Sequence, residues 1–460
     1  MHKLEKVVSH EMDIFYFSPG NARMTHHPLK KHIADSWSVS WPMILIMVFE
    51  FLINLTDVYI AGRLGTRYQA TVGFVTQVYF VFIVIGNALT VGTVSVVSRL
   101  HTSGKKEDLK STIFSISVTV AGAGLFLGVA GLFLTPYFLR FLNVPEALKT
   151  LGAPLLAIYA LGLGFHYILI NTNGILRATG RIRHSLITML LACVINIGLN
   201  VLLVFFTPLG YIGIALSTAL AVAAGAAVNT AWLYPRIRGL RKLSRERLRS
   251  IFSISWPFGV LQLAWQTGST LLFLILSELP AHRVEILAGF TNGQRVEAAI
   301  YLPAFAFSMA NAVVVGNFLG EGRKRDAFRG GLVTASLGVV FITALTVAVV
   351  INSGALFALL NDSRAVMAES SRYIYAVMWS EPVMAWAVVM NGALNGAGDT
   401  KGVMAIVASS MWLVRLPLAY LLGIALDMGP LAIWWCMNLS ICFHAVFVTI
   451  RFLRGRWVHS

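Results

Sequence analysis

Ser38-Val39-Ser40-Trp41-Pro42 opens the first long apolar stretch of the chain, and Ser253-Ile254-Ser255-Trp256-Pro257 opens another at an offset of 215. Two further landmarks recur at an offset of 218. Gly104-Lys105-Lys106-Glu107-Asp108 answers to Gly322-Arg323-Lys324-Arg325-Asp326. Gly174-Ile175-Leu176-Arg177-Ala178-Thr179-Gly180 answers to Gly392-Ala393-Leu394-Asn395-Gly396-Ala397-Gly398. Three landmarks in one order at nearly one offset indicate an internal duplication. In a membrane chain, duplicated halves point to a transporter that moves one half against the other around a central site.

The membrane assignment comes from composition. Hydrophobic residues make up 57% of the chain and charged residues 12%, about half the charged share of a typical soluble domain. Apolar runs of about 20 residues, enough to cross a bilayer, recur along the whole length. The chain therefore reads as an all-α polytopic membrane protein. A β-barrel is excluded, because its segments would alternate apolar and polar residues with a period of two. The net charge of +16 does not point to nucleic acid. The basic residues sit in short loops between spans, where they set orientation and meet anionic lipid. The largest cluster, Arg236, Arg238, Arg241, Lys242, Arg245, Arg247 and Arg249, reads as a solvated linker between the halves. Cys193, Cys436 and Cys442 fall in apolar spans and offer neither a disulfide framework nor metal-ligand spacing.

Twelve spans are expected in two sixes. The first six cover 38–62, 70–97, 112–135, 152–177, 185–206 and 211–234; the second six cover 251–277, 287–316, 330–358, 369–395, 402–425 and 430–452. The domain plan is a polar tail or amphipathic lead-in over 1–35, a six-helix bundle over 36–234, a basic linker over 235–250, a second bundle over 251–453 and a tail over 454–460. No cleavable signal peptide is expected. With the amino terminus inside, the tails and even-numbered loops hold 27 of the 36 Lys and Arg and the odd loops 7. The positive-inside rule then places both termini in the cytoplasm. Six spans per half is an even number, so both halves start on the same side. The repeat is parallel, its pseudo-two-fold axis lies along the membrane normal, and a central cavity between the bundles is the expected path.

These segments resemble the multidrug and toxic compound extrusion (MATE) family of antiporters, over nearly the whole chain after the first 35 residues. The segments that carry the resemblance are Asp57 to Gly65, Gly174 to Gly180, Asn196 to Asn200 and Gly392 to Thr400, with Trp412, Arg415, Pro417 and Leu418 in span 11. The resemblance implies coupling to H⁺ or Na⁺, no cofactor, and export of small organic cations across the plasma membrane by a monomer. It is closest to the DinF-type members, whose polar network is matched by Asp57, Asn173, Asn196, Asn200 and Thr218. One departure is visible. Where those members place a second aspartate, this chain has Asn200, and an amide ligates a cation but carries no proton.

The residues themselves point to the same place. Asp57 lies inside an apolar span, and intramembrane acids are functional by default. At a helical rise of about 1.5 Å per residue it sits roughly 8 Å from the outer end of its span; Asn200 is roughly 9 Å deep and Thr218 roughly 10 Å. Asn196 is one turn below Asn200 on the same face. Oxygen ligands at one level suit a hard cation such as Na⁺, and a carboxylate alone suits H⁺. Against this stands the reading that each Asn only packs the bundle through an interhelical hydrogen bond. Asn173 falls near the inner end of span 4, so it belongs either with the others across a wrong boundary or to a second layer.

Glu50, two turns below Asp57 on the same face, reads either as a proton relay or as a bonded, protonated residue. His166 reads as a packed, bonded histidine, with a shuttle as the sharper alternative. Glu381 and Arg415 fall at similar depth, roughly 18–20 Å along their helices, and are expected to pair. Second-site coupling at Glu381 is the alternative. Arg295 and Glu297 are two apart on span 8 and point different ways. Candidate substrate-lining groups are Gln77, Tyr79, Phe80, Gln262, Trp265 and Gln266, aromatic and amide side chains that suit flat cationic amphipaths, together with the charged Arg295 and Glu297 as further candidates to face the cavity. Pro42, Pro257 and Pro417 mark helix entries, kinks or hinges. The expected function is a cation-coupled antiporter. The rivals are a flippase for lipid-linked or other amphipathic metabolites and a membrane-embedded enzyme. No aspartate-rich metal motif, HExxH or nucleophile elbow supports the enzyme.

Overall fold

The computed structural model describes residues 28–141, 145–237, 243–280, 283–360, 363–455 and 457. The first six helices are α1 (Leu29–Leu64), α2 (Thr66–Thr102), α3 (Lys106–Phe141), α4 (Glu146–Ala178), α5 (Ile182–Phe205) and α6 (Ile212–Ile237). After them come α7 (Arg245–Ser277), α8 (Arg283–Gly320), α9 (Lys324–Ile351), the short α10 (Ser353–Leu360), α11 (Arg364–Gly396), α12 (Thr400–Ala425) and α13 (Gly429–Leu453). Among the described residues twelve helices, all but α10, are long and apolar enough to cross a bilayer. All-α architecture in two six-helix bundles is what the sequence predicts. We call the side where α1 starts and α13 ends the terminal end, and the opposite side the distal end.

The boundaries differ from expectation in instructive ways. α1 begins at Leu29, so positions 29–35 of the expected tail belong to the helix. Residues 1–27, and 238–242 within the basic linker, lie outside the described residues. The expected span 330–358 divides at Asn352 into α9 and α10. α11 tightens into a 3₁₀ turn over Met378–Ser380, just before Pro382, which has no N–H to donate. α12 carries two wide π-type turns, Ser410–Arg415 and Leu421–Ala425, on either side of Pro417. Such turns absorb a proline's missing bond and are frequent at functional sites.

The duplicated landmarks have a backbone reason. Gly104 and Gly322 adopt φ of 75° and 73°, and Gly180 and Gly398 adopt 72° and 83°. Each stands just past a helix end at the terminal side, in the left-handed conformation that glycine enters without a Cβ penalty.

Within the first bundle α4 packs on α2, α3 and α6, and α1 packs on α5; within the second, α8 packs on α9 and α11. The bundles meet where α2 crosses α7 and α8, and where α1 crosses α8 and α9. Small residues allow this approach: a β-carbon on Gly92 would run into Ser255 and Ile251, and one on Gly316 into Ser98. Hydrogen bonds cross the seam at the terminal end, from Ser95 Oγ to the Gly396 carbonyl (3.0 Å), from Thr102 Oγ1 to the Asn317 carbonyl (2.7 Å) and from Thr334 Oγ1 to Ser36 Oγ (2.8 Å).

Two polar contacts between acidic and basic side chains complete this seam, and they are one contact made twice. Asp108 at the start of α3 bonds Arg247 at the start of α7 (2.7 Å), and Asp326 at the start of α9 meets His32 at the start of α1 (3.2 Å). The aspartates are related by the offset of 218 and their basic partners by that of 215, the same offsets as the sequence landmarks. The pseudo-two-fold therefore runs through the seam itself.

Candidate functional site

Asp57 sits on the last two turns of α1, in the distal half of the first bundle, and is 2% exposed. Three side chains donate to its carboxylate. Asn200 Nδ2 lies 2.8 Å and Asn196 Nδ2 3.3 Å from Oδ1, and Thr218 Oγ1 lies 2.7 Å from Oδ2. Asn196 also donates to Thr218 Oγ1 at 2.9 Å. The helical repeat explains the convergence. Asn196 and Asn200 are one turn apart on α5, which α1 packs against, and Thr218 enters from the neighbouring α6. The Oδ1 atoms of Asn196 and Asn200 are buried without a hydrogen-bond partner among the described residues. The site thus holds a carboxylate and two uncommitted amide oxygens, a donor set that fits a hard cation.

An aromatic column continues from this site. Tyr159 of α4 lies beside Asp57 and Thr218. Its ring stacks on Tyr79 at 4.7 Å, and Tyr79 Oη lies 2.9 Å from His166 Nδ1. Tyr79, expected to line the substrate path, is therefore part of the Asp57 surroundings, and His166 is a bonded residue of the same column. Tyr159 is a member of the site that the sequence reading misses. Its signal is its position two helical turns before His166, on the same face of α4.

Asn173 does not join Asp57. It lies near the terminal end of α4, where its Oδ1 accepts from Ser185 Oγ (2.9 Å) and Asn229 Nδ2 (2.8 Å). Asn229 in turn accepts from Thr188 at 2.6 Å. Asn173 belongs to this second polar layer. Its place in the Asp57 network, implied by the family pattern, is corrected: on α4 it stands too near the terminal end to reach that level.

A cavity of about 70 Å³ lies between the bundles, with Met43, Asn87, Arg177, Phe258, Phe305 and Asn395 on its walls. A second, of about 100 Å³, lies in the second bundle and shares Phe258, Phe305, Ser308 and Asn395 with the first. Gln262, Trp265 and Glu297 line it as expected, together with Tyr301, Asn391, Arg415 and His444. Gln77, Phe80, Gln266 and Arg295 line neither cavity.

The expected Glu381–Arg415 pair is not formed. Arg415 donates from Nε to Ser440 Oγ at 2.8 Å and lies over the Trp265 ring at 5.2 Å. Its electrostatic partner is Glu297, whose carboxylate accepts from Tyr373 Oη at 2.6 Å. Glu381 is fully buried, and neither carboxylate oxygen has a hydrogen-bond partner among the described residues. The tightened turn at Met378–Ser380 sets the facing of the residue that follows it, which a straight-helix depth count cannot include. Glu50 acts electrostatically on Arg177. Arg177 is buried, although the sequence reading counts it with the adjacent loop.

Comparison with known proteins agrees with this arrangement. The MatE family model matches residues 42–202 and again 257–421, and the two starts differ by the same offset of 215. The chain is 25% identical over 427 residues to a probable multidrug resistance protein NorM of Thermotoga maritima, covering 89% of this chain and 90% of the relative. It is 26% identical over 414 residues to the uncharacterized transporter YisQ of Bacillus subtilis, covering 86% and 89%. In fold it resembles the Vibrio cholerae MATE transporter VcmN, seen as a D35N mutant (TM-score 0.87, 18% identity, 94% and 99% covered). It also resembles a MOP superfamily transporter from Pyrococcus furiosus (TM-score 0.86, 18% identity, 94% and 97% covered). With the family model matched in both halves of the duplication, the chain belongs to the MATE family of multidrug efflux transporters.

Proposed function

We propose that this transporter is a cation-coupled antiporter that exports organic cations across the plasma membrane by alternating access, with Asp57 as the principal coupling carboxylate. The observation that carries the proposal is the three-donor cage on Asp57, with two amide oxygens left uncommitted beside it. The coupling ion is H⁺ or Na⁺. A proton neutralises the carboxylate directly. Where the ion is Na⁺, the Asp57 carboxylate and the free amide oxygens of Asn196 and Asn200 would hold it, and its positive charge would do the same. Either event changes what α1 bonds on α5 and α6. Because α1 also crosses α8 and α9 at the seam, a shift of α1 reaches the contact between the bundles. The ion and the exported molecule must differ in affinity for the two states, since only differential affinity moves such an equilibrium.

In this reading the terminal end is cytoplasmic, as the charge asymmetry of the loops requires. The closed seam there makes the present state one whose cytoplasmic gate is shut. The transporter works as a monomer, with anionic lipid against its basic cytoplasmic loops.

The test is efflux of a fluorescent organic cation from proteoliposomes, with pH and Na⁺ gradients imposed separately. Asp57→Asn should remove gradient-driven efflux while the protein stays monodisperse. Wild-type rates of coupled efflux in that variant would sink the proposal.

A further inference from the structure

The cavity between the bundles lies on the pseudo-two-fold axis, because its lining residues come in pairs related by the repeat. Met43 answers to Phe258 at the offset of 215, and Asn87 answers to Phe305 and Arg177 to Asn395 at 218. The frame is symmetric but the chemistry is not. The first-bundle wall holds a guanidinium and an amide where the second holds an amide and a phenyl ring.

Arg177 is 4% exposed, and its Nε has no hydrogen-bond partner among the described residues. The guanidinium contacts Met43 Sδ from Nη1 at 3.8 Å, and Glu50 acts on it electrostatically from beyond ion-pair distance. An intramembrane cation without a bonded oxygen partner is costly and marks function by default. Phe258, Phe305, Ser308 and Asn395 line both this cavity and the adjoining one that holds Glu297 and Arg415. The acidic and basic side chains lining the two adjoining cavities are thus the guanidiniums of Arg177 and Arg415, the imidazole of His444 and one carboxylate, Glu297. That set attracts an oxyanion at least as strongly as it attracts a cation.

We propose that Arg177 is a specificity-determining residue that binds a carboxylate on the exported molecule. The preferred substrates are then flat aromatic amphipaths carrying both a cationic centre and a carboxylate. A guanidinium fork matches a carboxylate in plane, and Phe258 and Phe305 supply ring contacts beside it. The inference rests on the transport reading above and narrows its substrate class.

The test uses a matched pair of dyes: rhodamine 110, which carries a free carboxylate, and rhodamine 123, its methyl ester. Binding to the purified full chain is followed by fluorescence polarisation, and efflux in proteoliposomes. The wild type should bind rhodamine 110 about tenfold or more tighter than rhodamine 123, the size of one charge-assisted hydrogen bond. Arg177→Gln should remove that preference, so that the ratio of the two affinities falls to about one. Arg177→Lys, which keeps the charge but not the fork, should retain part of the preference. Equal affinity of the wild type for the two dyes, a preference for the ester, or a preference that survives Arg177→Gln overturns the proposal. The wild-type comparison holds even if the glutamine variant fails to fold. Efflux of rhodamine 123 that depends on Asp57, with no preference for rhodamine 110, would overturn this inference and leave the antiporter reading standing. Neither binding nor efflux of either dye would overturn both.

Discussion

Gly92 lies on α2 where that helix crosses α7, and it offers a way to hold the seam apart. A β-carbon there would fall 2.5 Å from the Ile251 carbonyl oxygen and 3.1 Å from Ile251 Cγ2, with Ser255 Oγ closer still. The carbonyl belongs to the α7 backbone and cannot rotate away. Forcing a methyl group into such a contact costs about 1–3 kcal/mol. In Gly92→Ala that cost falls on the closed seam alone, because parting the bundles removes the clash. At about 1.4 kcal/mol per tenfold, the open-seam population rises about 5- to 140-fold. The assay is alkylation by a membrane-impermeant maleimide in inside-out vesicles. Ser308→Cys, in both cavities, serves as the reporter, in a background where the exposed Cys442 is replaced by serine. Labelling should rise within the stated range. Gly73→Ala, with nothing within 4 Å of the added carbon, should leave it unchanged. Without the reporter thiol, Gly392→Ala should lower folded yield instead. Its β-carbon would meet the Ser308 carbonyl inside the second bundle, where seam opening gives no relief. Wild-type labelling of Gly92→Ala, in protein that elutes folded and monodisperse, would refute the reasoning.

Two further outcomes are expected. Asn200→Asp sets a second carboxylate beside Asp57, where the amide now donates at 2.8 Å. The two charges then need a cation between them, so exchanging choline chloride for NaCl should raise the melting temperature by about 2 °C or more beyond the wild-type response. An equal response in both proteins would mean the two positions share no site. The paired seam contacts should differ in weight although symmetry relates them. Asp326 and His32 have side chains 7% and 1% exposed, whereas Asp108 and Arg247 are 48% and 28% exposed. Exposed pairs contribute about 0–1 kcal/mol, and leaving one partner of a buried polar contact unpaired costs about 1–3 kcal/mol. His32→Ala, which removes the contact across the seam and leaves the local Arg323–Asp326 pair in place, should therefore raise labelling from the terminal side about tenfold or more, and Asp108→Asn less than about fivefold. Equal effects would show that burial does not set the strength of the seam.

Much of this architecture is legible in the chain because the membrane imposes it. Backbone groups in hydrocarbon must bond internally, so every long apolar run becomes a helix. Loop charges and helix-ending glycines then locate the turns. The Asp57 site is legible for the same reason. Straight helices rise by a constant increment, about 1.5 Å per residue, so depth from a span end brings Asp57, Asn196, Asn200 and Thr218 to one level. The count fails where the helix is irregular. Glu381 follows a tightened turn and Arg415 sits in a wide one, and their expected pairing is replaced by Glu297 facing Arg415. Asn173 stands as deep as its count says, but Ser185 and Asn229 claim it.

The features legible in the chain are therefore periodic: twelve helices, a parallel duplication, and the depth of each polar group along its own span. Which groups meet across helices is set by the packing of the bundles. It brought Tyr159 to Asp57, turned Arg177 from a loop neighbour into a buried wall of the central cavity, and paired Asp108 with Arg247 as Asp326 pairs with His32. The physical reason is that rise per residue is a local property of the backbone. Azimuth around a helix and contact across a seam depend on how small residues such as Gly92 and Gly316 let two helices approach.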